Sequence, residues 1–213
     1  MGSTPRRQHR AVFWDFGGVI TSSPFEAFNR YEERHGIPRD FIRSVNAVEP
    51  DTNAWARIER REVGADEFDR LFAEESERLG HRIPGSDVLS CLYGAVRPEM
   101  VTALDRLRDA GYLLACLTNN VVGSTGDRPD VDDAMSRFAH IIESSRVGVR
   151  KPERAFYEIA CATAGVEPEE VVFLDDLGIN LKPAAAMGMT TIKVVDPGSA
   201  LVELGAVLGL ELT

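Results

Sequence analysis

Cysteine is scarce: the chain has only Cys91, Cys116 and Cys161, an odd number whose spacings match no zinc ligand set. This excludes a disulfide framework and a structural zinc site, and it predicts reduced core thiols in a cytoplasmic protein. The four histidines, His9, His35, His81 and His140, are scattered without metal-ligand spacing, and His9 is expected in a disordered N-terminal arm. No apolar run approaches the roughly 20 residues that a membrane helix needs. The opening MGSTPRRQHR is basic and polar, and AVFWDFGGVI after it is interrupted by an Asp, so the start does not read as a secretory signal. Positive charge is also short. The net charge is −10, and an acidic field opposes non-specific binding to nucleic acid or to an anionic membrane. Lysine is the rarest charged residue, three against 21 arginines. Repeats and low-complexity tracts are absent. The 213 residues, 44% hydrophobic and 27% charged, suit one medium domain or a small domain carrying an insertion.

Short β-rich runs stand at Ala11–Phe16, Tyr112–Thr118, His140–Glu143, Val171–Asp175 and Thr190–Val195. They are continuously apolar rather than alternating, as in strands covered on both faces. Helix-period segments lie between them. Pro98–Ala110 opens on a proline and closes at Gly111, and Pro152–Ala164 does the same with Gly165. Leu181–Met187 and about Ser199–Leu208 complete the set. Such alternation predicts right-handed crossovers and a parallel sheet. Residues 21–95 break the rhythm. Helices are expected from Phe25 to near Gly36 and over Phe41–Val48, Ala54–Arg61, Ala65–Leu79 and Asp87–Tyr93, with Phe68, Leu71 and Phe72 on one stripe. The expected architecture is α/β: a Rossmann-like three-layer parallel-sheet core from residues 1–20 and 96–213, and an inserted small helical bundle from 21–95. Gly123–Asp133 reads as a mobile polar loop.

Open parallel sheets bind ligands at the carboxyl ends of their strands. Those ends carry Asp15-Phe16-Gly17-Gly18, Thr118-Asn119-Asn120, the Gly148-Val149-Arg150-Lys151-Pro152 segment and Asp175-Asp176. A lone Asp after a strand is often a turn former. Three carboxylates at neighbouring strand ends are another matter, because they repel unless a cation or proton sits among them. A hard cation such as Mg²⁺ with oxygen ligands answers that problem, and a carboxylate can also serve as a covalent nucleophile. Phosphate asks for hydroxyl and N–H donors and a cation. Thr118 offers the hydroxyl, and Lys151, expected at a helix N-terminus, offers the cation. Trp14, Phe16, Cys116 and Trp55 read as packing residues, and Arg57 stays open. Glu74-Glu75 reads as a solvated face, and the charges of Arg57–Glu62 read as surface ion pairs of little worth.

The segments Val12-Phe13-Trp14-Asp15-Phe16-Gly17-Gly18-Val19, Leu117-Thr118-Asn119, Lys151-Pro152 and Phe173-Leu174-Asp175-Asp176 with Asn180 resemble the haloacid dehalogenase superfamily of phosphatases. Glu143–Tyr157 and Val171–Met189 look much like the phosphatase domain at the N-terminus of soluble epoxide hydrolase and like related acyl-CoA-dehydrogenase-associated domains. The resemblance implies a Mg²⁺-dependent phosphatase acting on a small phosphorylated metabolite. It makes Asp15 the nucleophile, and gives Mg²⁺ to Asp15, Asp176 and the main-chain carbonyl of Gly17. Asp175 and Asn180 support that site. Thr118 and the amides of Gly18 and Asn119 bind the phosphoryl oxygens, and Lys151 neutralises the nucleophile and the transferring group. Residues 21–95 become the lid.

The family pattern places a second Asp two residues after the nucleophile, to protonate the leaving alcohol and then activate water. This chain has Gly17 there. General acid–base help is worth roughly 10²–10⁴-fold, so three readings follow. The protein is a phosphatase that is slow or restricted to leaving groups needing little protonation, such as sugar-1-phosphates or acyl phosphates. Alternatively it is a non-catalytic phosphate- or metal-binding regulatory module, or a haloacid dehalogenase. The Asp175-Asp176 pair weighs against the dehalogenase, since attack on an anionic haloacid needs no metal and an added carboxylate pair would hinder it. Substrate identity and oligomeric state are not legible in the sequence.

Overall fold

The computed structural model describes residues 8–92, 94–122 and 128–213. Five short strands, β1 (Ala11–Trp14), β2 (Leu113–Thr118), β3 (His140–Glu143), β4 (Val171–Asp175) and β5 (Thr190–Lys193), form one parallel sheet in the order β3-β2-β1-β4-β5. Successive strand residues point to opposite faces. Val12, Trp14, Leu114, Cys116, Val172 and Leu174 enter one apolar cluster, while Ala11, Phe13, Ala115, Leu117, Val171 and Phe173 enter another. Both faces are therefore dry, and the continuously apolar strands are explained.

Helices supply the outer layers. Against the first face pack α6 (Pro98–Asp109), through Met100, Leu104 and Leu107, and α11 (Pro197–Leu208), through Leu201 and Leu204. Against the second pack α9 (Arg154–Ala164), through Phe156, Tyr157 and Ala160, and α10 (Gly178–Ala186), through Leu181 and Ala184. No helix among the described residues is long and apolar enough to cross a membrane.

Between β1 and α6 lie α1 (Pro24–His35), α2 (Phe41–Ala47), α3 (Ala54–Glu59), α4 (Ala65–Arg78) and α5 (Gly85–Ser90). Their caps are written locally. Ser23 accepts from the Phe25 N–H and Pro24 opens α1, while Gly36 closes it at φ 67°. These helices share a core of their own, built on Phe28, Ile42, Ile58, Phe68, Phe72 and Val88. The chain enters and leaves this bundle side by side: Thr21 bridges Val96, and the Ser22 N–H donates to the Ala95 carbonyl.

Several expectations shift. β1 ends before Asp15, because the Asp15 carboxylate accepts from the Phe16 N–H at 2.7 Å and turns the chain. α10 begins three residues early, since Asp175 accepts from the Leu177 N–H at its entrance. Pro152 lies outside α9, after a cis Lys151–Pro152 peptide. The polar stretch expected as a loop contains α7 (Pro129–Met135), whose opening proline and first-turn Asp130 and Asp132 favour a helix start. A one-turn helix, α8 (Ser144–Val147), follows β3. Residues 123–127 of that loop and Tyr93 of the fifth expected helix lie outside the described residues, as do residues 1–7 of the expected N-terminal arm. His9, expected in that arm too, is buried and bonds Thr190 at 3.0 Å. The three cysteines are unpaired and buried, as expected.

Candidate active site

Trp14 on β1 sits level with Cys116 on β2 and Leu174 on β4, and the Asp15 N–H donates to the Leu174 carbonyl. Register alone therefore brings Asp15 beside Asp175 and close to Thr118 at one end of the sheet. Asp15, Asp175 and Asp176 each present an oxygen within 4.8 Å of the others. Lys151 reaches them from the segment after α8. Its Nζ lies 2.7 Å from Asp15 Oδ1 and 2.8 Å from Asp175 Oδ2, and the side chain is 1% exposed.

Asp175 is fully engaged. Its oxygens accept from Lys151, from the Leu177 N–H and from Asn180 Nδ2 at 3.1 Å. The Asn180 backbone is held in turn, because its main-chain carbonyl accepts from the Tyr157 hydroxyl at 2.6 Å. Asn119 also has a defined orientation. Its Oδ1 accepts from the Lys151 N–H and its Nδ2 donates to the Lys151 carbonyl, both at 2.9 Å. Asp15, Lys151, Asp175, Asp176 and Asn180 thus meet at the carboxyl end of the sheet, with Gly18 against Asp176 and Asn119 on the Lys151 backbone, and Thr118 ends the neighbouring strand β2. The helix-terminal position expected for Lys151 does not hold: α9 starts three residues later, and Lys151 stands in the turn ahead of it.

The two glycines differ. Gly18 has φ 86°, and a Cβ there would lie 2.3 Å from Asp176 Oδ2, so only glycine lets the backbone approach that carboxylate. Gly17 has ordinary angles, φ −72° and ψ 122°, and a Cβ there would meet nothing within 4 Å. Its missing side chain is not a steric requirement.

Charge decides what the cluster can hold. Burial raises the Asp15 carboxyl; Lys151 opposes this, Asp175 and Asp176 add to it, and the group is pushed up to about 8. Burial and then Asp175 push Asp176 up to about 6. Burial works to lower Lys151, but Asp15 and Asp175 outweigh it and hold the ammonium protonated. Fully ionised, three carboxylates against one ammonium would carry two uncompensated negative charges, and the upward push on Asp15 and Asp176 is the electrostatic cost of that excess. A hard divalent cation with oxygen ligands balances that count, so the donor set fits such an ion.

Sequence reasoning missed part of the surroundings. Glu59 on α3, read as a surface charge, is 5% exposed and pairs with Arg150 at 2.5 Å, in the segment that carries Lys151. Burial works to raise its carboxyl, and Arg150 opposes that. Its place beside Ala54 and Ile58 on a buried helix was the available signal. Glu75, read as solvated, accepts from the Ala54 N–H at the start of α3. Asn120 ties β2 to the end of β3, donating to Glu143 and to Ser144 Oγ. Arg97, where the chain re-enters the core, donates to the Gly18 carbonyl at 3.0 Å.

Known proteins resemble this chain over most of its length. It is 33% identical over 215 residues to acyl-CoA dehydrogenase family member 10 of Mus musculus, covering 97% of this chain and 20% of the relative. It is 31% identical over 217 residues to bifunctional epoxide hydrolase 2 of Mus musculus, covering 95% and 39%. The chain therefore spans well under half the length of those relatives. A relative of similar length, the sesquiterpene phosphatase astK of Aspergillus oryzae, is 24% identical over 205 residues, covering 94% and 97%. Among solved structures, the haloacid dehalogenase family enzyme BT-2542 of Bacteroides thetaiotaomicron, in complex with magnesium and inorganic phosphate, shares the fold at TM-score 0.58 and 19% identity, covering 87% and 93%. The family model for haloacid dehalogenase-like hydrolases matches residues 9–188, a span that includes the Asp15 turn, Thr118, Lys151 and the Asp175-Asp176 pair, and the chain belongs to that family of hydrolases.

Proposed function

We propose that the chain is a Mg²⁺-dependent phosphatase that hydrolyses a small phosphomonoester through an aspartyl-phosphate on Asp15. The observation that carries the reading is a buried strand-end carboxylate 2.7 Å from a buried ammonium, with two further carboxylates close by. A phosphatase among its relatives supports this reading, as does the family enzyme solved with magnesium and phosphate.

Asp15, Asp176 and the Gly17 carbonyl would hold Mg²⁺. The ion would supply charge neutralisation for the phosphoryl group, which is the main demand of phosphoryl transfer. The chain's own residues do the rest. Lys151 opposes the upward push of burial on Asp15 and faces the transferring group. Thr118 and the amides of Gly18 and Asn119 receive the phosphoryl oxygens. Asp175 and Asn180 hold Lys151 in place. Asp15 attacks phosphorus, the ester P–O bond breaks, and the leaving oxygen takes its proton from solvent because residue 17 has none to give. Water then hydrolyses the aspartyl-phosphate. Residues 21–95 serve as the cap that shields these steps and selects the substrate. The buried, unpaired thiols support cytoplasmic residence.

The test is release of phosphate from an aryl phosphate with and without Mg²⁺. Asp15→Asn should abolish it. Equal rates for the wild type and this variant would refute the proposal.

A further inference from the structure

Glu59 is the one carboxylate of the helical bundle whose hydrogen bonds, among the described residues, reach both of the core segments that carry Thr118 and Lys151. Its Oε1 accepts from Trp55 Nε1 at 2.8 Å, which fixes the carboxylate plane from within α3. Its Oε2 accepts from Arg150 Nη1 at 2.5 Å and from Asn119 Nδ2 at 3.3 Å. Arg150 also donates to the Pro50 carbonyl at 3.0 Å, so it is held from the bundle side twice. Asn119 follows Thr118 and clasps the Lys151 backbone on both its N–H and its carbonyl.

The donor arithmetic leaves little freedom. The Asn119 amide has one acceptor oxygen and two N–H donors. The oxygen is committed to the Lys151 N–H, so the NH₂ group must face the Lys151 carbonyl and Glu59. Arg150 is 8% exposed and Glu59 is 5% exposed, so the pair is largely shielded from solvent. A second bridge runs parallel on the surface side, Arg60 Nε to Glu153 at 2.8 Å.

We propose that Glu59 is a positioning residue for the reaction at Asp15. It holds Asn119 and Arg150, and through them it sets where Thr118 and the Lys151 ammonium stand relative to the nucleophile. This rests on the phosphatase reading of the same cleft. The contact also makes that geometry conditional on the bundle being docked, because the anchor belongs to α3 and the anchored residues belong to the core.

The test uses the full chain with Mg²⁺ and an aryl phosphate. Glu59→Gln keeps the shape but removes the charge that pairs with Arg150. The paired variant Glu59→Leu with Arg150→Met removes both charges and leaves no buried arginine unpaired, so no uncompensated charge opposes folding. Misplacement of about 1 Å costs on the order of 10²-fold. Both variants are expected to lose roughly that factor in kcat, with KM changed less than about threefold. The measurement is made well below the unfolding transition, with native circular dichroism. A merely structural role would lower Tm and leave kcat of the folded fraction intact. A folded paired variant with wild-type kcat overturns the proposal while the wild-type activity keeps the phosphatase reading. A wild type whose activity does not depend on Asp15 removes the reading, and the proposal with it.

Discussion

On the proposed mechanism, Gly17 is the residue on which the rate would turn. It occupies the place where the family pattern puts a general acid, yet its backbone is ordinary and the space over its Cα is open. Gly17→Asp should therefore fold without strain and put a carboxyl beside the leaving oxygen. The expected outcome is a gain in kcat that is largest for alkyl phosphates, up to about 10²-fold, the lower end of what a general acid supplies. It should be small for aryl or acyl phosphates, whose leaving groups need little protonation. Comparing kcat across leaving groups of graded pKa checks this, and a flat ratio of variant to wild type would count against it. Gly18 offers no such freedom, because its Cβ would strike Asp176. Both glycines are visible in the sequence, but only the backbone angles and the neighbouring carboxylate tell them apart.

Among elements, α1 and α2 are joined by a carboxylate acting as a distant cap. Glu32 on α1 is 1% exposed and accepts from the Asp40 and Ile42 N–H groups, both at 2.8 Å, at the start of α2. Asp40 itself, the residue in the N-cap position, makes no side-chain cap bond. Glu32→Ala would leave two N–H groups without their acceptor, one of them buried, and should cost about 2–3 kcal/mol. A lower urea midpoint with an unchanged m-value would confirm it. A midpoint equal to the wild type would mean that water replaces the carboxylate. The helices themselves were legible, because their caps and apolar stripes are local. The bond from Glu32 to α2 was not, since nothing in the spacing of residues 32 to 42 says that the chain folds back there.

For the whole molecule, the expected consequence is a linkage between metal, pH and stability. Without metal, the folded-state values of Asp176 and Asp15, about 6 and about 8, lie above their ordinary 3.8. The folded state therefore binds these protons more tightly than the unfolded chain does. The stability they contribute is present below pH 4 and is lost as pH rises through about 8. Mg²⁺ favours the deprotonated carboxylates, so its effect should grow over the same interval. At about 100 times Kd, a bound ion contributes roughly 2.7 kcal/mol. Melting curves with Mg²⁺ or with chelator should separate more at pH 8 than at pH 5, and equal separation would contradict the proposed ion site. The sequence by itself determined the strand–helix alternation, the helical insertion and which polar groups stand at the strand ends, because periodicity, caps and turn residues act within a few positions. The tertiary structure alone decided which charges meet. Lys151 lies between Asp15 and Asp175, Glu59 is buried against Arg150 some 91 positions away, and His9 is packed on Thr190. Such pairs follow from how layers close over one another, and the energy that selects them belongs to burial, which no short window of residues contains.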